Sequence, residues 1–415
     1  MMQAKAGWIA VAAAAILLAG CGGSDDPAAP PPVATAPATP TPPAAQPASA
    51  TVLATTSSGM ESVAFSGDVA YLSTSNSATA ATGVFSAALP LQAGSAWSDT
   101  PLGDCGLERE DGGFPTRAPG LRALGGELWL FQAWADKGAD ARPEHTLCSL
   151  ATTAGYKGFV PRDGGLKVCS GESCSMLSMD ELKLVGKRLY TNAGGGQNVL
   201  ASDDGGASWK VLTGRFDQDI CTHPAFEVVG DRLLVGGECP LDMAFLRAYQ
   251  LGGDGVSLAS KEALPVTLPD LENRNVQFIQ ATGAQRVFAG VEGGLLRSED
   301  GGRSFKFVIE EPLSGGKRYP YIRHVLALSG KPDTIVAAGF DKASGKPYLA
   351  WSSDGGGKWT DISSILPGHA RDLDSASAAM VTSLSEDPQG RVIATVNEHD
   401  NAQGRLVLVT LGSAP

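Results

Sequence analysis

Ser202-Asp203-Asp204-Gly205-Gly206-Ala207-Ser208-Trp209 returns twice with the same skeleton, as Ser298-Glu299-Asp300-Gly301-Gly302-Arg303-Ser304-Phe305 and as Ser352-Ser353-Asp354-Gly355-Gly356-Gly357-Lys358-Trp359. The second copy begins 96 residues after the first and the third 54 after the second. In this S-x-D-x-G-x-x-aromatic form the carboxylate can accept backbone N–H groups inside a tight turn, the glycines supply positive φ, and the aromatic ring packs back onto the flanking strands. The pattern predicts a turn between two strands. It assigns a structural role to Ser202, Asp204, Gly206 and Trp209, and likewise to Ser298, Asp300, Gly302 and Phe305 and to Ser352, Asp354, Gly356 and Trp359.

A second repeat runs in phase with the first. It reads as strand, Gly-containing turn, very apolar strand: VAFSGDVAYLS around Gly67, LRALGGELWLF around Gly126, LKLVGKRLYT around Gly186 and FEVVGDRLLVG around Gly230. Three more copies follow around Gly283, Gly330 and Gly390, making seven at a mean spacing of about 54 residues. Each repeat then holds four strands, a to d, with the Gly turn joining a to b and the octapeptide turn joining c to d. Seven such units on a closed ring predict an all-β, seven-bladed β-propeller. The last repeat lacks a d strand before Pro415, and Thr51–Thr55, TVLAT, can supply it from the N-terminal side and remove two sheet edges.

The octapeptides resemble the Asp-box, or BNR repeat, of sialidases, sortilin-type receptors, some xyloglucan hydrolases and the photosystem II assembly-factor propellers. The resemblance implies the propeller fold over nearly all of residues 51–415. It implies no substrate, because the Asp-box specifies architecture.

Ahead of the repeats, Lys5 is followed by the apolar run Trp8 to Leu18 and then by Leu18-Ala19-Gly20-Cys21. That run is too short for a stable span and reads as a cleaved signal segment. Leu-Ala-Gly-Cys resembles the bacterial lipobox, which implies removal of residues 1–20, lipidation of Cys21 and anchoring in the membrane. Gly22, where an Asp would retain a lipoprotein at the inner membrane, implies the outer membrane, facing the periplasm or the cell surface. Residues 21–50 are rich in Pro, Ala and Thr and predict an extended spacer.

A formal net charge of −12 argues against nucleic acid and against polybasic lipid binding. There is no phosphate-binding loop and no recognisable metal motif, so no cofactor is expected. Asp372, Asp374, Glu398, His399 and Asp400 are acidic-loop residues that read as solvated rather than as Ca²⁺ ligands. Beyond Cys21 the chain has six cysteines, an even count that fits disulfides in an exported protein. Cys221 and Cys239 lie nine residues either side of Gly230, near-opposite on one hairpin. Cys169 and Cys174 can close a small loop, which leaves Cys105 with Cys148.

Propellers bind ligands on the face formed by the d–a loops and the first residues of each a strand. Those positions are Glu61, Arg117, Asp180 with Glu181, His223, Arg274, and Tyr321 with Arg323 and His324. Arg117, Glu181, Arg274, Tyr321 and Arg323 form the candidate ligand-binding set, and three guanidinium groups there would suit a carboxylate. Arg117-Ala118-Pro119 also resembles the Arg-Ile-Pro motif of sialidases, which implies an arginine triad with Asp136 or Asp140 as acid/base. The family's nucleophilic Tyr follows the third Arg, whereas here only Tyr348, on a c strand, follows Arg323, and sialidases have six blades rather than seven. A binding or assembly scaffold for an envelope protein or carbohydrate is therefore expected first and a sialidase-like exo-glycosidase second.

Overall fold

The structure, a computed structural model, describes residues 46–412 apart from 76–82, 106–116, 135–144, 152–157, 165, 171–172, 177–178, 194–195, 215–219, 241–242, 313–317, 369–378 and 399–402. Cys21, Asp136, Asp140, Asp372, Asp374, His399 and Asp400 lie outside these residues, and for Arg117, Cys169 and Cys174 only the backbone is described.

Seven antiparallel sheets follow one another along the chain, each begun by an inner strand: Met60–Ser66, Arg117–Leu124, Met179–Val185, Thr222–Val229, Val276–Ala281, Pro320–Leu328 and Met380–Glu386. Every inner strand touches the inner strand of the next blade, and the seventh touches the first, so the ring is closed. This is the seven-bladed β-propeller that the two repeats predict.

Closure uses the N-terminal strand. Ser49–Thr56 pairs antiparallel with Gly404–Thr410, Val52 opposite Val407, as the outermost strand of blade 7. It starts two residues before Thr51, inside the stretch expected to be spacer, and Ala48 and Ala50 pack against the core between blades 6 and 7. Seven apolar clusters fill the ring, one at each junction between neighbouring blades. The very apolar second strands feed these clusters from both faces, and so read as near-continuous hydrophobic runs.

Two features depart from four strands per repeat. Blade 4 has three: Thr222–Val229, Arg232–Cys239 and Met243–Gln250. Its fourth position is met only by isolated bridges, Leu258 with Leu251 and Leu264 with Ala248, after which Thr267 donates its N–H to the Arg303 carbonyl and accepts from Phe305 N of blade 5. A hairpin, Lys167–Ser170 with Ser173–Met176, is inserted between blades 2 and 3 and sets Cys169 directly opposite Cys174. Disulfides join Cys105 to Cys148 and Cys221 to Cys239.

The three octapeptides are turns between third and fourth strands. Asp204 accepts from Ser202 Oγ at 2.8 Å, Ser208 N at 2.9 Å and Ser208 Oγ at 2.6 Å. Asp300 repeats this with Ser298 and Ser304, and Asp354 with Ser352 and the amides of Gly357 and Lys358. Gly205 and Gly206 sit at φ 72° and 87°, and a Cβ on Gly206 would lie 2.3 Å from the Arg162 carbonyl of the preceding blade. Only glycine satisfies both demands.

Candidate functional site

The inner strands enclose an axial cavity of about 910 Å³ to which all seven blades contribute. What faces it is decided by irregularities. In six blades the pairing of inner and second strand slips near the start, between Met60 and Ser62, Met179 and Glu181, Thr222 and Ala225, Val276 and Phe278, Ile322 and His324, and Val381 and Ser383. A bulge breaks the two-residue alternation and re-aims side chains. Arg323 and His324 accordingly both line the cavity, although they are sequence neighbours, and Asp180 and Glu181 do the same.

The wall carries two ion pairs that tie blades together. Arg122 Nη2 in blade 2 lies 3.0 Å from Glu181 Oε2 in blade 3. Lys183 Nζ in blade 3 lies 2.9 Å from Glu227 Oε2 in blade 4 and also donates to the Ile279 carbonyl in blade 5 at 2.7 Å. Glu227 in turn accepts from Ala281 N at 2.7 Å. Burial pushes the Glu181 carboxyl up, but Arg122 and Lys183 outweigh it and hold the group below its ordinary value. Both carboxylates and both cations are therefore committed to the scaffold.

Arg323 differs. Its side chain is exposed to the channel and its guanidinium stands 5.7 Å from the Phe340 ring centre, with neither a hydrogen-bonded nor an ion-paired carboxylate among the described residues. Surrounding protein lowers its pKa, opposed by Tyr321 and Glu292. Beside it His324 is pushed down to about 3, first by burial and then by Arg122, so the imidazole is neutral at physiological pH. Among the described cavity-lining residues, Arg323 is thus a cation not ion-paired to a carboxylate.

The other sequence-derived positions scatter. Tyr321 is 6 % exposed and stacks on Phe340 at 4.8 Å, and its hydroxyl bonds Glu292 and lies 3.4 Å from Lys342 Nζ. Burial first, then Glu292, raises its phenol well above the ordinary value. The Glu292 carboxyl is itself raised by burial. Arg274 does not line the cavity: it is 2 % exposed, 3.3 Å from Glu272 and 3.7 Å from Glu310. Its place in the turn before the inner strand, rather than on it, takes it out of the expected convergence. His223 is fully buried, its Nδ1 2.8 Å from Thr213 Oγ1 and its ring edge-on to Phe245. Glu61 sits at the start of blade 1, its carboxyl lifted by burial to about 7 against hydrogen bonds from Ser75 and Asn397. Tyr348 is buried on the third strand of blade 6, off the channel. Arg117 opens the inner strand of blade 2 opposite Trp134. Arg122, Lys183 and Glu227 escaped the sequence reading because they lie mid-strand. The signal that could have found them is a charged residue inside an otherwise apolar inner strand, as in L-R-A-L and E-L-K-L.

Among the described residues no group of three or more His, Cys, Asp or Glu could hold a metal ion, and no helix is long and apolar enough to cross a membrane.

No protein-family model and no curated protein matches the chain. Solved structures do. YCF48 bound to a D1 peptide shares 14 % identity over 89 % of this chain and 97 % of its own, with a TM-score of 0.51. The GH74 xyloglucanase of Xanthomonas campestris shares 16 % over 84 % of this chain and 52 % of its own, at 0.50. The extracellular domain of a one-component system protein from B. thetaiotaomicron shares 11 % over 85 % and 38 %, at 0.51. At these identities the likeness is one of fold, and it sets the chain among the β-propellers.

Proposed function

We propose that this protein is a lipid-anchored, extracytoplasmic β-propeller that acts as a binding or assembly scaffold, gripping a carboxylate of a protein partner at the mouth of its axial channel. The observation that carries the reading is Arg323. Four charged groups on the wall neutralise one another across blades, whereas Arg323, exposed to the channel, has no hydrogen-bonded or ion-paired carboxylate among the described residues, a state that suits an anionic ligand. Two disulfides fit an oxidising compartment, and Cys21 with the Pro-rich stretch ahead of Ala48 would hold the ring off the membrane surface. A propeller of similar fold is named as bound to a peptide, which supports a protein partner by analogy of architecture alone.

A glycosidase of sialidase type is the second reading, favoured by the Tyr321–Glu292 hydrogen bond. Against it, Tyr321 is buried against Phe340, Glu292 binds its proton more tightly than an ordinary carboxylate, and Arg274 does not join Arg323 in the cavity. The test pairs two assays on wild type, Arg117→Ala and Arg323→Ala: turnover of a fluorogenic sialoside, and capture of envelope proteins. The scaffold predicts no turnover and a partner lost in Arg323→Ala. Turnover that disappears in either variant would reverse the ranking.

A further inference from the structure

Four large hydrophobic side chains are exposed among the described residues: Val52, Val211, Ile220 and Met243. Single exposed hydrophobics are ordinary, but the two most exposed, Ile220 at 68 % and Met243 at 53 %, come together at one end of blade 4. Ile220 precedes Cys221, Cys221 is bonded to Cys239, and Cys239 pairs directly with Met243 across the second and third strands. The disulfide thus fixes two apolar side chains about one point. Further along the third strand, Arg247 Nη2 lies 3.6 Å from Cys239 Sγ and 3.8 Å from Cys221 Sγ, and its guanidinium stands 4.6 Å from the Phe245 ring centre. The base of the patch is therefore packed. A patch held rigid in this way loses little freedom when it is covered, and methionine adapts its shape to what covers it.

Thr222, next after Cys221, opens the inner strand of blade 4, and Pro224 two residues further lines the axial cavity. The patch therefore lies at the end of the blade where the channel mouth and Arg323 lie. A line of contacts joins them. Glu238, the neighbour of Cys239, acts electrostatically on Glu292 of blade 5, Glu292 pairs with Tyr321 of blade 6 and bonds its hydroxyl, and Arg323 follows two residues on. Two side chains fall far short of a dimer interface, which takes about 800 Å² from each copy. They match a single anchoring side chain of a bound segment, the kind of contact that dominates such interfaces. Glu238 beside the patch and a net charge of −12 disfavour an anionic lipid surface. We propose that Ile220 and Met243 form a second contact point for the protein partner, covering one apolar side chain of the same segment whose carboxylate meets Arg323. The inference rests on the channel mouth being a protein-binding site and adds the chemistry of the partner. Its segment carries an apolar residue at one end, an acidic residue at the other, and none acidic between them, where Glu238 would repel it.

The probe is a phage-displayed library of linear dodecapeptides selected on the full chain in detergent. Selected peptides should carry the apolar and the acidic residue at a constant spacing. Ile220→Ser and Met243→Ser should each weaken them about tenfold with the thermal midpoint unmoved, since both side chains are exposed. Replacing the peptide's apolar residue with Ala should cost as much on wild type and nothing further on the double variant Ile220→Ser/Met243→Ser. Replacing its acidic residue should cost nothing further on Arg323→Ala. In the presence of such a peptide, a photo-crosslinking residue in place of Met243 should attach to it. Peptides that need Arg323 and bind the double variant unchanged would overturn the second contact point and leave the channel reading standing. Attachment at Met243 to phospholipid alone, or to a second copy of this chain alone, would overturn it as well and give the patch to the membrane or to self-association. Peptides indifferent to Arg323→Ala, or a library yielding none, would sink the channel reading and the contact point with it.

Discussion

Glu61 opens the inner strand of blade 1, and burial keeps its carboxyl protonated up to about pH 7, where an ordinary glutamate ionises near 4.5. The unfolded chain thus loses a proton that the folded chain still holds across that interval. The stability this group contributes is complete below about 4.5 and is lost as pH rises through about 7. Glu61→Gln should therefore melt with wild type at pH 4 and a few degrees above it at pH 8. Equal midpoints at pH 8 would mean that the carboxyl is open to water. The same scale shows how far sequence reasoning reaches into the site. Counting to the start of each inner strand found Asp180, Glu181, Arg323 and His324 in the cavity wall, because the hairpin repeat fixes where those strands begin. It could not see that Tyr321 and Arg323, two residues apart, face different surroundings, since the slip between Ile322 and His324 depends on pairing with the Gly339 strand rather than on local pattern. Nor could it see that Arg274 lies one turn too early.

At the scale of the element, the octapeptide turns are the most readable part of the chain, because the hydrogen bonds made by their Asp carboxylates join residues two to four positions apart. Hydrogen bonds from Ser304 and Ser298 outweigh burial and hold Asp300 down to about 2. The stability tied to its charge is present above its ordinary pKa of 3.8 and is lost as pH falls toward 2. Asp300→Ala should cost about 1 kcal/mol at pH 7, and noticeably less at pH 2.5, in urea melts, with partner capture intact below the transition. Loss of capture in a variant of unchanged stability would give the turn a part in binding. A fourth such turn was missed. Asp254 accepts from Val256 N at 3.0 Å, Ser257 N at 3.1 Å and Ser257 Oγ at 2.7 Å, with Gly255 at φ 70°. Gly252 stands where the leading serine would be and no aromatic closes the motif, so a pattern keyed to those residues passes over it. The chain just beyond it also fails to build the fourth strand of blade 4: Thr267 bonds blade 5, and Pro265 and Pro269 have no N–H to give to a ladder.

At the scale of the molecule, the ring is held by closure. Leu53, on the strand that completes blade 7, is 6 % exposed in the cluster between blades 7 and 1. Leu53→Asp should cost about 3 kcal/mol or more, by cavity and buried charge together. A urea midpoint within error of wild type would mean that the N-terminal strand is dispensable. The number of blades and the closing strand could be read from the sequence because repeats in phase constrain a ring, whereas a binding site assembled from seven different strands has no single stretch to announce it. Anchoring belongs to this scale as well: Cys21→Ser should abolish labelling by a tagged palmitate and release the protein from membranes, and unlabelled wild type would refute the anchor. The central claim is that the rim beside Arg323, and not the octapeptide turns, meets a protein partner. A photo-crosslinking residue in place of the exposed Lys342, 5.6 Å from the Tyr321 ring centre, should capture a discrete protein in intact cells, while the same residue at the exposed Ala207 in an octapeptide turn should capture none. Capture at Ala207 with nothing at Lys342 would contradict the account.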